Sequence, residues 1–180
     1  MPTTQPLKVH ITGVYGLIGN LMYRRLSSQP ELYDVYGSGR RAVSSARADR
    51  DAILPLPDDH FMIADLSDAQ AVEKAIVGMD AVLHIGAAPG PEASFDVVLN
   101  SNIIGTYNVL EACREAGVRR LVYASSIMIS NGYFKYTEPY SSINNLRWQD
   151  IPETIPPITH KHPPRPTEPY SASKVNCEAS

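Results

Sequence analysis

Cysteine is scarce in this 180-residue chain: Cys113 and Cys177 are the only two, 64 positions apart and in no CxxC arrangement. That excludes a disulfide framework and a cysteine zinc site, and it reads both thiols as reduced and inert. Long hydrophobic runs are missing too. No stretch approaches the roughly 18 apolar residues of a membrane span, and the first twenty residues lack the charged and apolar regions of a secretory signal. The chain is therefore expected to be soluble and cytoplasmic, with no membrane partner. Positive charge is not in surplus, since 16 Lys plus Arg face 19 Asp plus Glu for a net charge of -3. No general attraction to nucleic acid is encoded. Metal ligands are sparse: His160-Lys161-His162 brings two imidazoles together without an acid or cysteine beside them, and no metal is expected.

What is present suits one domain over residues 1–180, because 43% hydrophobic residues can bury one substantial core. No internal repeat occurs. Proline is uneven, with eight of fifteen falling between Asn131 and Pro169. This proline-rich insertion at 131–169 is expected to be neither regular helix nor central strand. Its aromatics, Tyr133, Phe134, Tyr136, Tyr140 and Trp148, suit a lid or a substrate-contacting loop, the alternative being a solvated insertion.

Ahead of it, short apolar runs alternate with segments of helical period, the pattern of successive βαβ units. Strands are expected at Leu7–Thr12, Asp34–Ser38, His60–Ala64, Ala81–Ile85 and Arg120–Ala124, where near-continuous apolar runs suit strands covered on both faces. Helices are expected at Leu17–Ser28, at Ala69–Val77 behind the cap residues Ser67 and Asp68, and at Glu92–Ala116 ending on Gly117. The fold class is α/β, a doubly wound parallel sheet of Rossmann type, with ligands at the carboxyl ends of the strands.

The first strand runs into Thr12-Gly13-Val14-Tyr15-Gly16-Leu17-Ile18-Gly19. Glycines 13, 16 and 19 allow a tight strand-to-helix turn and let the backbone approach a pyrophosphate, which the free N–H groups of the helix start would hold. A plain βα turn is the alternative. The second strand ends in Gly39-Arg40-Arg41 with no acid at its tip. Two guanidinium groups there suit a 2′-phosphate through bidentate, charge-assisted bonds, so NADP is expected over NAD; two solvated loop charges are the alternative.

The spacing TGxxGxxG resembles the extended branch of the short-chain dehydrogenase/reductase family, the NAD(P)-dependent epimerase/dehydratase-like group, and further matches follow in that family's order over nearly the whole chain. Asp65-Leu66 resembles the acid and neighbour that meet the adenine. Asp80-Ala81-Val82-Leu83-His84-Ile85-Gly86-Ala87-Ala88 resembles its fourth-strand motif, in which Ile85, Gly86, Ala87 and Ala88 would pass beside the cofactor. His84, in a buried apolar run, reads as a hydrogen-bonded strand residue and not a catalyst. Asn102-Ile103-Ile104-Gly105-Thr106 resembles the long-helix motif whose Asn102 steadies the catalytic relay, and Asn102 could equally cap locally. Tyr123-Ala124-Ser125-Ser126 and Tyr170-Ser171-Ala172-Ser173-Lys174 resemble the fifth-strand serine and the YxxxK pair.

The resemblance implies that Gly13, Tyr15, Gly16, Leu17, Ile18, Gly19, Arg40, Arg41, Asp65, Leu66, Tyr170 and Lys174 take part in cofactor binding. It implies a catalytic set of Ser126, Tyr170, Lys174 and Asn102. Four apart on a helix, Tyr170 and Lys174 share a face, and an ammonium about 4 Å from a phenolate stabilises it by about 4 kcal/mol at an effective dielectric of 20. Ser126 would fix the substrate oxygen, and Tyr170 would move the hydroxyl proton while hydride passes to or from the nicotinamide. The expected function is an NAD(P)-dependent oxidoreductase or epimerase acting on a secondary alcohol or ketone, with a sugar derivative in view. The alternative is a catalytically silent NAD(P)-binding module, a redox-responsive or scaffold protein. Small-molecule substrate and homodimer are the partners implied.

Two departures stand out. Ile127 and Met128 occupy the places where the family's dehydratases carry Asp-Glu and its uronate dehydrogenases carry Asn-His, which disfavours dehydratase chemistry and suggests a less polar substrate face. The chain also stops at Ser180, where relatives continue into a sixth strand and a substrate region, so a fragment is expected.

Overall fold

The computed structural model describes residues 5–45, 48, 53–90 and 92–178. Five parallel strands, β1 (Leu7–Thr12), β2 (Tyr33–Gly39), β3 (Phe61–Ile63), β4 (Ala81–His84) and β5 (Arg120–Tyr123), lie in the order β3-β2-β1-β4-β5. Winding runs outward from β1 to β3 and then restarts on β1's other side with β4. The switch between β1 and β4 opens a crevice at the carboxyl ends of the strands. Helix α1 (Leu17–Ser27) packs its Tyr23 with Ile11, Val14 and Val35 on one side of the sheet. On the other side, α2 (Ala69–Ile76) and α4 (Gly105–Ala116) bury Val72, Ile76, Val109 and Cys113 with Val82 of β4. Asp68 caps α2 by accepting from the N–H groups of Gln70 and Ala71, and Gly117 closes α4 at a left-handed φ of 68°.

Several expected boundaries move for local reasons. The helix expected from Glu92 begins at Phe95, because Ser94 caps the four-residue α3 (Phe95–Val98) with its hydroxyl. It then widens into a π-helical stretch, Leu99–Ile104, before becoming α4. β4 stops at His84 because the Ile85 N–H leaves the ladder for the Thr12 hydroxyl. β3 is only three residues long, and β5 is an edge strand whose Val122 is 56% exposed, so neither is covered on both faces as the apolar runs suggested.

The insertion also departs from expectation, since it contains two short helices, α5 (Asn131–Tyr136) and α6 (Tyr140–Asn144). No proline falls in 131–138, and Pro139 sits just before α6, where its missing N–H costs no helical bond. Tyr133 donates its hydroxyl to the Pro163 carbonyl at 3.1 Å and Tyr140 to that of Pro156 at 2.8 Å. Pro163 and Pro156 thus hold the extended chain to α5 and α6 respectively. The segment is tied to its own helices at these two points, while residues 160–166 are exposed throughout.

Away from the crevice, His60 lies between two carboxylates, Nδ1 at 2.8 Å from Asp59 and Nε2 at 2.9 Å from Asp34. Its ring stacks on Tyr36 at 4.3 Å, and the Tyr36 hydroxyl donates to the other Asp34 oxygen. Burial alone would push the imidazole's pKa down, but the bonds to Asp59 and Asp34 outweigh it and hold it above the usual value. The folded chain therefore keeps a proton that the unfolded chain sheds near pH 6.5, and the associated stability is lost as pH rises through the raised value. Urea unfolding of wild type and His60→Gln between about pH 6 and 9 is expected to show the wild type losing more stability with rising pH. Parallel profiles would contradict this.

Candidate active site

The turn after β1 is set by contact distance. Gly13 has φ +67°, and a Cβ there would fall 2.8 Å from the Gly86 Cα. At Gly19 a Cβ would lie 2.2 Å from the Gly13 carbonyl oxygen, so α1 can begin this close to β1 only without a side chain. The Gly13 and Val14 N–H groups both donate to the Ser38 carbonyl, at 2.8 and 3.2 Å. Helix α1 has no side-chain N-cap and no acid in its first turn. Its unpaired N–H groups and the positive end of its dipole are left for an anion in the crevice.

Thr12 fixes the opposite wall. Its hydroxyl oxygen accepts from the Ile85 and Gly86 N–H groups at 3.1 and 2.9 Å, and lies 2.8 Å from His84 Nδ1. With both lone pairs taken, Thr12 must donate its hydrogen to Nδ1, so Nε2 carries the ring hydrogen and donates to the Thr106 hydroxyl at 3.0 Å. Burial, and then the Lys174 charge, pushes the His84 pKa down to about 3. His84 is a neutral, doubly bonded strand residue, as expected.

Helix α7 (Pro169–Glu178) brings Tyr170 and Lys174 to the same crevice. Glu168 caps it, its carboxylate accepting from the Tyr170 and Ser171 N–H groups at 2.8 and 2.9 Å. Lys174, only 3% exposed, donates to the Ala124 carbonyl at 2.7 Å. Its ammonium stands 4.6 Å from the Tyr123 ring centre and 5.9 Å from that of Tyr170. Burial pushes the Lys174 pKa down to about 8.

The crevice has a volume of about 370 Å³. Of the sequence-derived candidates, the turn residues Gly13, Tyr15, Gly16, Leu17, Ile18 and Gly19 line it, as do Arg40, Arg41, Asp65, Leu66, Ile85, Gly86, Ala87, Tyr170 and Lys174. Three candidates stand off its wall. Ala88 is buried and paired through both backbone groups to the Asn102 side chain, at 2.7 and 3.3 Å. Asn102, 2% exposed, also donates to the Ser173 hydroxyl at 3.0 Å, so it ties the β4 loop to α7. Ser126 accepts from the Met128 N–H at 3.2 Å, and the neighbour that lines the crevice is Ser125. Asp65 both lines the crevice and accepts from the Ser67 N–H and hydroxyl at 2.9 and 2.8 Å. The Ser67 N–H contributes most to holding its pKa below the usual carboxylate value.

Sequence reasoning missed nine lining residues, Ser38, Gly39, Val43, Ser45, Ala64, Pro89, Ser101, Ala124 and Ser125. Ser38 and Val43 flank Arg40-Arg41 and could have been read as part of the same strand tip; Pro89 and Ser101 carry no signal of their own. His162 is occupied locally, its Nδ1 accepting from the Thr159 N–H at 3.0 Å, and no cluster of three metal-ligating side chains occurs among the described residues. No helix among the described residues is long and apolar enough to cross a membrane.

A doubly wound sheet with a glycine-lined helix start and a buried lysine in one crevice defines a dinucleotide-binding fold. The chain belongs to the NAD dependent epimerase/dehydratase family, whose model matches residues 9–179. It is 29% identical over 172 residues to an L-arabinose 1-dehydrogenase (NAD(P)(+)) of Haloferax volcanii, covering 96% of this chain and 59% of that one. Among solved structures, the UDP-glucose 4-epimerase of Thermus thermophilus in complex with NAD is 27% identical, with a TM-score of 0.70 over 96% of this chain and 49% of that one. A uronate dehydrogenase from Agrobacterium tumefaciens is 25% identical, with a TM-score of 0.67 over 98% of this chain and 55% of that one. The chain thus spans about half the length of the relatives it matches.

The depressed Lys174 pKa has a measurable consequence. Between about pH 8 and its ordinary value of 10.5, the unfolded chain binds a proton that the folded chain does not, so stability rises with pH through that window, by on the order of 3 kcal/mol. Lys174→Met is expected to lack this rise in chemical denaturation, and an equal rise in both proteins would contradict the assignment.

Proposed function

We propose that the crevice binds NADP, with NAD the weaker alternative, and that the chain's reacting groups interconvert a secondary alcohol and its ketone on a sugar derivative, as an oxidoreductase or epimerase. The observation carrying this reading is the meeting, in one crevice, of an uncapped, acid-free helix start and the Tyr170–Lys174 pair. The residues fit the dinucleotide: the glycine cradle is one that a Cβ at position 13 or 19 would fill. The N–H groups of Leu17 and Ile18 would hold the pyrophosphate, while Asp65 and Leu66 would border the adenine. Arg40 and Arg41 would meet the 2′-phosphate. The nicotinamide, when bound, supplies the hydride acceptor or donor.

The proton falls to the chain itself. Tyr170 removes it from the substrate hydroxyl, or returns it to the ketone, at its phenol oxygen. Lys174, still largely charged at neutral pH with its pKa near 8 and its ammonium 5.9 Å from the centre of the Tyr170 ring, favours the phenolate over the phenol. Ser126, or Ser125 on the wall itself, donates to the substrate oxygen. Asn102 acts one step back, holding Ala88 and Ser173, and Ser173 in turn donates to the Tyr170 carbonyl at 2.7 Å. Ile127, 82% exposed beside Ser126, gives the substrate side an apolar margin.

Gly39 is the place to test the cofactor. A Cβ there meets only the Arg41 carbonyl at 3.7 Å and Phe61 at 4.0 Å, ordinary contacts, so Gly39→Asp fits and would set a carboxylate where ribose hydroxyls are held. Titration of both cofactors is expected to show NADP binding the wild type more tightly. Loss of that preference is expected in the Arg40→Ala/Arg41→Ala double variant, and its reversal in Gly39→Asp. Equal or tighter NAD binding by the wild type would overturn the NADP reading.

For the reaction, L-arabinose, a uronate and UDP-glucose are assayed with each cofactor. Tyr170→Phe is expected to keep cofactor binding and lose turnover by roughly 10² to 10⁴-fold. Undiminished turnover would overturn the role of Tyr170, and cofactor binding with no turnover by the wild type on any of these sugars would instead identify a silent binding module.

A further inference from the structure

The two reacting segments are joined by a short hydrogen-bonded junction outside the crevice. From Ser126, the chain turns through Ile127–Ser130, with the Ile129 N–H donating back to the Ser126 carbonyl at 3.2 Å. The Ile129 carbonyl then accepts from the Arg165 N–H at 2.7 Å, and the Arg165 carbonyl accepts from the Gly132 N–H at 2.8 Å. Alongside, Asn131 donates its side-chain N–H to the Thr167 hydroxyl at 3.2 Å. The Thr167 N–H donates to the Ser171 hydroxyl at 3.1 Å, and Glu168 caps the turn that carries Tyr170. Unbroken bonds therefore run from the residue expected to hold the substrate oxygen to the one expected to move its proton.

The sequence around the junction is built for stiffness. Arg165 lies in Pro163-Pro164-Arg165-Pro166 and holds the one backbone N–H of those four residues, the prolines fixing their own φ. Gly132 has no room for a side chain, since a Cβ would fall 2.7 Å from both the Cβ and the carbonyl oxygen of Arg165. The Arg165 guanidinium lies 4.8 Å from the centre of the Tyr133 ring and donates to the Thr137 hydroxyl at 2.7 Å, which presses the strut onto α5.

We infer that this Gly132–Arg165 junction is a clamp setting the separation of Ser126 and Tyr170, with Gly132 and Arg165 as positioning residues. It rests on the reading above that those two hydroxyls act on one substrate. The clamp gives the insertion a task other than covering the crevice: it fixes two reacting groups that are 44 positions apart in the chain.

The test compares Gly132→Ala, Arg165→Met and Arg165→Lys with wild type, using whichever of the three sugars wild type turns over. Misplacement of reacting groups by about 1 Å costs up to about 100-fold, so Gly132→Ala is expected to lose kcat on that scale while cofactor Kd stays within about twofold. Arg165→Met is expected to lose kcat in part, and Arg165→Lys, which keeps a cation over the Tyr133 ring, to recover most of it. Hydrogen exchange supplies a readout without turnover: Ser171–Lys174 amides are expected to exchange faster in Gly132→Ala, with β1 and β4 unchanged. Unchanged α7 exchange, kcat within about twofold of wild type, or cofactor affinity falling in step with kcat would overturn the clamp. If Gly132→Ala fails to fold, the two Arg165 variants decide, and equal kcat or equal α7 exchange in them overturns it. Absence of turnover by wild type counts against the proposed reaction, and hydrogen exchange alone then judges the clamp.

Discussion

The backbone of Gly13 passes so close to Gly86 that one methyl group at position 13 would come within 2.8 Å of the Gly86 Cα. This approach, at the switch point between β1 and β4, sets the floor of the crevice and aims the α1 helix start into it. Its second anchor is the Thr12 hydroxyl, which accepts two N–H groups from the β4 loop and is oriented by His84. A buried imidazole with both nitrogens bonded holds one tautomer, and that tautomer holds Thr12 as a double acceptor. The polar chain from Thr106 through His84 to Thr12 therefore gives the glycine turn its shape as surely as the missing side chains do.

Lys174 shows what the site asks of the fold. An ammonium with 3% exposure has lost most of its water, and its hydrogen bond goes to a neutral partner, the Ala124 carbonyl. The depressed pKa is the signature of that cost. A structural role would be filled at lower cost by an apolar side chain of similar size, and a buried ammonium beside Tyr170 is what supports the functional role proposed for it. The same balance places a charge that is still largely present at neutral pH next to a phenol.

Much of this was legible in the sequence because the informative residues act through the backbone. Glycines 13, 16 and 19 are read from spacing, and the apolar runs of β1, β2 and β4 from composition, so the parallel sheet and helix α1 lie close to their expected places. Spacing does not tell which way a side chain faces. Asn102 and Ala88 have the expected sequence context yet face each other behind the wall, and Ser125 reaches the crevice where Ser126 was expected. Helices α5 and α6 are hidden when proline content is averaged over the whole insertion, whereas most of the prolines lie in the non-helical chain of 152–166 and Asn131–Tyr136 contains none. The π-helical stretch at Leu99–Ile104 had no sequence signal, since the Asn102 side chain at its centre is committed to partners distant in the chain.

The fold thus presents a positive helix end and a charged lysine to one crevice, with the insertion bracing the segment that carries Tyr170. The most direct measurement of that account is NADP affinity and thermal stability of Leu17→Asp, with Leu17→Asn as the uncharged control. Leu17 is exposed at the first position of α1, so a carboxylate there suits the helix dipole by about 0.3 to 1 kcal/mol while occupying the field in which the proposed pyrophosphate would sit. The account predicts that Leu17→Asp binds NADP at least about tenfold more weakly than the control and melts no lower. Equal NADP affinity in the two proteins would contradict it.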